Sequence, residues 1–470
     1  MAPQELVDKG HGKNEPRGIK RVPRSPLFEG RFGRLFRHLD PAPDLKPKQL
    51  KDLAGQMREP KGSGAKLDNP QIPAAYTYFG QFVDHDITFD PVSLLQRKND
   101  PDALVDFRSP RFDLDCVYGA GPADQPYLYD QPARLKLLID PDNKFHEPDL
   151  QRNVEGTALI GDPRNDENII VSQLQLAFIR FHNKVAAEVA ADESIPKEKR
   201  FEEAQKLVRW HYQWVILKDF LPRIAGKKVV DDRVKQNKKT GEIEIDLRWY
   251  RPKNNPFMPV EFSVAAYRFG HSMVRGGYSL NQVVTGVPIF ISGEKVDKFA
   301  DLRGFRSLPP SWTIDWSFFL DGVPGKANKP QLSRKIDTNL AGGLFDLPGF
   351  PNKESSLALR NLERGQALGL PSGQAVAKRM GVKRLTAKQL GGAPEPTPLW
   401  FYILKESEVT GGQQKGQQLG PVGGQIVAEV LLGLLKGDQR SFVNARPDWK
   451  PTFGSKGKFT LSDLVRFALS

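Results

Sequence analysis

One segment constrains the fold more than any other. Within residues 166–192 the string SQLQLAFIRFHNKVAAEVA carries apolar residues at three- and four-residue spacing with no proline or glycine. A helix of that length has an apolar face that only other helices can cover economically. Similar patterns recur at 73–88, 200–221 (ended near Pro222), 261–274, 357–368, 374–380, 387–391, 425–436 and 461–469. Only Glu242 to Leu247 alternates as a short strand would. The stretches between hold many of the 38 prolines and 42 glycines. The pattern predicts a mainly α, irregular multi-helix fold with long loops and little β. Residues 1–24 are polar and basic and read as a flexible N-terminal arm. Residues 25–470 read as one globular domain.

Composition excludes several classes. Apolar residues make up 39%, enough for a core and too many for a disordered chain. No apolar run reaches the ~18–20 residues of a membrane span. The longest candidate, Ile426 to Leu435, carries Glu429. The start, MAPQELVDKGHGKNEPRG, has no apolar signal region. The expectation is a cytoplasmic protein, or one secreted by a non-Sec route. The one cysteine, Cys116, allows no intrachain disulfide. The net charge of +13 is spread among acidic residues, without a nucleic-acid-binding motif, so it reads as a solvated basic surface.

The segment YFGQFVDHDITFD (78–90) concentrates chemistry. On a helix Gln81 and His85 share a face, Asp84 lies nearby, and Asp86 projects elsewhere. Read alone, Asp-His-Asp also has a mundane reading, a metal-binding cluster or a histidine held by carboxylates. GDPRNDE (161–167) follows, with Arg164 and Glu167 three residues apart; read alone it is a helix start with acids favoured by the dipole. SPRFDLDCVYG (109–119) offers oxygen donors at a density that suits Ca2+; read alone it is also an acidic turn with no ion. AYRFGHSM (266–273) puts His271 on a helical pattern, and RNLERGQALGLPSG (360–373) contains Asn361.

In this order the segments resemble the motifs of the animal-type haem peroxidases, in the peroxidase–cyclooxygenase superfamily, and are closer to its bacterial members. The resemblance spans roughly residues 30–440. It implies haem b as cofactor. His85 would be the distal acid–base, Arg164 the distal arginine and Gln81 the residue above the iron. Asp84 and Glu167 would be the two carboxylates able to form esters with haem methyl groups. His271 would be the iron ligand, Arg268 a partner for a haem propionate, and Asn361 the acceptor of the His271 N–H. Asp86, Ser109, Arg111 (through its carbonyl), Asp113 and Asp115 would bind a structural Ca2+. One position departs: Asn168 stands where myeloperoxidase-like members have a methionine that bonds to a haem vinyl group. Any covalent attachment here would rest on Asp84 and Glu167 alone.

The implied activity is reduction of hydrogen peroxide with oxidation of small organic donors or halides. The rival is a fatty-acid dioxygenase or cyclooxygenase-like oxygenase of the same fold. Those enzymes use a tyrosine three residues before the proximal histidine. Here that position is Arg268, and Tyr267 is about 100° away round a helix. His182 and His211 lie within long helical patterns and read as packing residues.

Overall fold

The computed structural model describes residues 32–88, 110–140, 149–252, 256–291, 297, 299–348, 355–454 and 457–470. The arm at 1–24 and Ser109 lie outside the described residues.

The expected helices form. α1 (Ala75–Ile87) turns Phe79, Phe82 and Val83 inward, all fully buried. Its opposite stripe of Thr77, Gln81, Asp84 and His85 lines a cavity. The inward face meets α2 (Ile169–Ala191) and α3 (Arg200–Val215). Phe82 stacks on Phe178 with ring centres 4.3 Å apart, and Tyr212 meets the edges of both rings. Each buried phenyl contributes on the order of 2–3 kcal/mol by leaving water. Through this aromatic contact the long helix read from the sequence fixes the position of the Gln81–His85 stripe.

Two helical segments leave the α path. Pro222 does not end the third helix. A π turn at Ile216–Phe220 precedes Leu221–Ala225, and Gly226 at φ +90° stops the run. Proline needs no partner for its missing N–H near a helix start, and the wider turn supplies such a start within a continuous path. The expected helix at 261–274 is instead a π turn, Glu261–Ala265, followed by a 3-10 helix, Ala266–Met273. Side chains three apart eclipse in a 3-10 helix. Arg268 and His271 therefore share a face, and both line the cavity.

Behind that segment lie α4 (Leu357–Ala367), α5 (Leu399–Val409) and α6 (Pro421–Gly437). The α5 string LWFYILKESEV went unread in the sequence because it is buried nearly all round and shows no periodic face. Its Trp400 indole donates to the Arg268 carbonyl at 3.2 Å, holding the His271 segment from below.

Strands among the described residues are short and form two-stranded pairs. The expected strand appears as Ile243–Ile245, antiparallel to Val234–Gln236. Asp68–Pro73 pairs antiparallel with Leu332–Arg334 and leads directly into α1. One apolar core runs from Phe32 to Ala468.

Candidate active site

The cavity lies between α1 and the His271 segment and contains about 1390 Å3 of space not filled by protein, part of it open to solvent. Gln81, Asp84, His85, Glu167 and Asn168 line one part. Arg268, His271, Asn361, Arg360 and Arg364 line another. Ile289, Phe290, Leu344, Leu347 and Leu357 supply apolar wall.

On the α1 side His85 is 5% exposed. Its Nδ1 lies 2.7 Å from the Asn165 side-chain oxygen, and its Nε2 lies 3.8 Å from Glu167. Burial first, then the charge of Arg164, lowers the pKa of His85 to about 4. Burial raises that of Glu167 to about 7, against the opposing pull of Arg164. Between these values both groups are neutral. Gln81 donates its amide to Glu167, and Asn168 donates to the Gln81 oxygen at 3.1 Å. Asn168 also caps α2, accepting the Val171 N–H at 2.9 Å. The residue that breaks the family pattern thus starts the long helix and orients Gln81 at once.

Arg164 is not among the cavity-lining residues, contrary to the expectation of a distal arginine facing the site. It is 1% exposed. Its Nη2 bonds Asp162 at 2.8 Å and donates to the carbonyls of His85 (3.0 Å) and Thr88. The cause is local. Asp162 caps the 3-10 turn Pro163–Asp166 and draws the guanidinium back on itself, while the C-terminal carbonyls of α1 need donors. Glu167, at the end of the same turn, does reach the cavity.

On the opposite side His271 is half-buried, and burial lowers its pKa to about 3, with the charge of Arg268 adding to the effect. Its ring keeps a lone pair for a metal at any ordinary pH. Asn361 approaches Nδ1 of His271 at 2.9 Å, through its amide nitrogen. An amide nitrogen only donates, so Nδ1 accepts here, the reverse of the expected direction. A half-turn of the amide presents its oxygen instead and lets Nε2 serve as the ligand. Arg268 donates through Nε to the Ser263 carbonyl at 2.8 Å. Tyr267 also lines the cavity, and its buried hydroxyl has no hydrogen-bond partner among the described residues.

These residues fit a haem. Imidazoles stand in the walls of one partly apolar cavity, the ring of His271 is neutral, and Arg268, Arg360 and Arg364 can pair with propionate carboxylates.

The expected calcium ligands come only partly together. Asp86 is fully buried on the far side of α1, and the Cys116 thiol lies 3.7 Å from its carboxylate. Asp113 is buried, and its carbonyl accepts from Arg209, whose guanidinium lies 4.0 Å from Asp115. Among the described residues no three His, Cys, Asp or Glu side chains converge as a metal cage. Gly161 rests against this loop: a Cβ there would lie 2.1 Å from the Asp115 carbonyl. Only glycine lets the turn carrying Arg164 and Glu167 come so close.

His182 and His211 are packing residues. His182 bonds Tyr118 and the Leu135 carbonyl, and His211 bonds the Leu207 carbonyl and two backbone amides. The residues missed in the sequence are Asn165 and Gln175. A buried glutamine in the apolar run of α2 was the available signal.

Comparison with known proteins gives a consistent family. The family profile for animal haem peroxidases matches residues 108–390, more than half the chain and a span that includes Arg164, Glu167, His271 and Asn361. The Gln81–Asp86 segment precedes it. Peroxidasin of Drosophila melanogaster is 23% identical over 325 residues, 63% of this chain and 19% of its own length. Chorion peroxidase of the same organism is 26% identical over 297 residues, 59% of this chain and 34% of its own. The chain thus spans less than half the length of these curated relatives. Among solved structures, peroxidase A from Dictyostelium discoideum shares the fold with TM-score 0.66 at 14% identity, covering 98% of this chain and 97% of that one. A fatty acid alpha-dioxygenase from Arabidopsis thaliana shares it with TM-score 0.53 at 15% identity, covering 98% and 82%. Among the described residues no helix is long and apolar enough to cross a membrane. By the match over more than half its length, this chain belongs to the animal haem peroxidase family.

Proposed function

We propose that residues 25–470 form one haem-dependent peroxidase domain that reduces hydrogen peroxide and oxidises small organic donors or halides. The observation that carries this reading is a single cavity lined by Gln81, His85 and Glu167 on one side and by His271, Arg268 and Asn361 on another. Bound haem would supply the iron centre at which peroxide is reduced and from which donors are oxidised. His271 would hold it, with the turned Asn361 amide accepting the Nδ1 proton and setting the ring's orientation.

His85 does the proton work. Its neutral ring takes a proton from one peroxide oxygen and returns it to the oxygen that departs as water. The amide of Gln81, held by Asn168, marks where peroxide or a halide sits. Arg164 acts through the backbone: by bonding the His85 carbonyl it holds the end of α1 in place. Asp84 and Glu167 are the candidate ester positions, and Asp86, Ser109, Arg111, Asp113 and Asp115 the candidate Ca2+ ligands. Against the calcium reading, Arg209 already supplies a positive charge at the loop.

The oxygenase reading rests on Tyr267, which lines the cavity, and on the fold shared with the fatty acid alpha-dioxygenase. Arg268, not tyrosine, occupies the position three residues before His271.

The test is spectroscopic and kinetic. Purified protein should give a Soret band and a pyridine haemochrome of haem b. His271→Ala should lose the Soret band. His85→Ala should keep it while oxidising guaiacol or iodide ~10²-fold more slowly with peroxide. Fatty-acid-dependent oxygen uptake without peroxide turnover would replace this reading with the oxygenase one.

A further inference from the structure

Behind His85 lies a chain of buried amides that no part of the proton mechanism above requires. The Asn165 oxygen faces His85 Nδ1 at 2.7 Å. The Asn165 nitrogen donates to the Gln175 oxygen at 2.9 Å. The Gln175 nitrogen donates to the Cys116 backbone carbonyl at 3.2 Å. Asn165 and Gln175 are both fully buried, so water does not compete for these contacts.

The chain has only one satisfied direction. A backbone carbonyl accepts and never donates, so Gln175 must turn its nitrogen to Cys116 and its oxygen to Asn165. Asn165 must then turn its nitrogen to Gln175 and its oxygen to His85. An oxygen facing Nδ1 requires a proton on Nδ1. Reversing either amide sets two acceptors against each other inside the core, a cost of the order of a lost buried hydrogen bond at each junction.

We propose that Asn165 and Gln175 form a one-way relay, anchored on the Cys116 carbonyl, that fixes His85 as its Nδ1–H tautomer and leaves Nε2 bare toward the cavity. Both are positioning residues, because neither is among those lining the cavity. The relay begins at the short helix Asp115–Tyr118, passes through α2 and ends on α1. The loop that carries Asp113 and Asp115 therefore bears on the ring's proton as well as on the helix. The catalytic consequence rests on the reading of His85 as general base; the tautomer itself does not.

The test uses the haem-loaded protein, 15N-labelled in its histidine side chains and held in the diamagnetic ferrous carbonyl state. The His85 resonances are assigned by their absence in His85→Gln. The expected spectrum has Nδ1 protonated and Nε2 bare. Asn165→Ala should bring in the Nε2–H form and slow peroxide consumption by ~10–100-fold, the usual range for a lost orienting partner. Gln175→Leu should also mix the tautomers although Gln175 makes no contact with His85, an effect that a merely structural role of Asn165 does not produce. A wild-type His85 protonated on Nε2 overturns the proposal. So does an unchanged Nδ1–H form in both variants, even if they slow turnover. Mixed tautomers with an unchanged peroxide rate would support the relay and count instead against His85 as the base.

Discussion

Asn168 joins two structures with one side chain: its oxygen caps α2 at the Val171 N–H, 2.9 Å away, and its nitrogen holds the Gln81 oxygen at 3.1 Å. A methionine at this position can do neither. Asn168→Ala should lower stability by about 1 kcal/mol, the typical worth of an N-cap. It should also free the Gln81 amide to rotate. Urea unfolding reads the first effect. Binding of halide or of peroxide to the resting enzyme reads the second, and should weaken in Asn168→Asp as well as in Asn168→Ala, because the carboxylate keeps the cap but cannot donate to the Gln81 oxygen. Unchanged binding in Asn168→Asp would mean that the cap alone matters.

Buried neutral histidines make the fold acid-sensitive. Burial lowers His182 and His211 to about 4, from 6.5 in an exposed ring. Between these values the unfolded chain binds protons that the folded chain refuses. Their contribution is therefore fully present above pH 6.5 and is lost as pH falls toward 4, by about 1.4 kcal/mol per pH unit per ring. Urea midpoints measured from pH 7 to pH 4.5 should fall steeply. His182→Gln should flatten that slope by about one proton. A slope unchanged in this variant would show that other groups govern acid unfolding.

The proposed calcium and Arg209 would be alternative cations for the same loop. If the ion binds with Asp86, Asp113 and Asp115, chelator should lower the thermal midpoint and the peroxidase activity together, and Asp113→Ala should abolish the chelator effect. Elemental analysis should then find about one Ca2+ per chain. Protein free of calcium and indifferent to chelator would leave Arg209 as a counter-charge of the loop. Arg209→Gln should in that case be strongly destabilising.

The proposed covalent attachment would depend on two carboxylates in different states of constraint. Glu167 accepts from Gln81, whereas Asp84 lines the cavity from α1. After treatment with peroxide, haem should stay on the polypeptide in denaturing chromatography and be released by alkaline ester hydrolysis. Asp84→Ala/Glu167→Ala should release it without base. Complete extraction into acid acetone from treated wild-type protein excludes both esters and leaves ligation by His271 untouched.

The sequence alone determined the helices whose apolar residues recur at helical spacing with polar ones between them. Ala75–Ile87, Ile169–Ala191 and Leu357–Ala367 lie within a few residues of their expected spans, because polar residues recur among their apolar ones at helical spacing, and that spacing is written in the residues. It also determined that Gln81, Asp84 and His85 share a stripe, since helical spacing is local. Leu399–Val409 stayed hidden because its apolar residues run unbroken from Leu399 to Leu404, which leaves no period to read. Only the tertiary structure decided where Arg164 points. Spacing put it beside Glu167, but a long side chain goes where its charge is best satisfied, and that is Asp162 with the carbonyls ending α1. The tautomer of His85 is decided at the same level. It follows from a carbonyl at Cys116, 31 residues along the chain from His85, and from two amides that can satisfy it in one direction only.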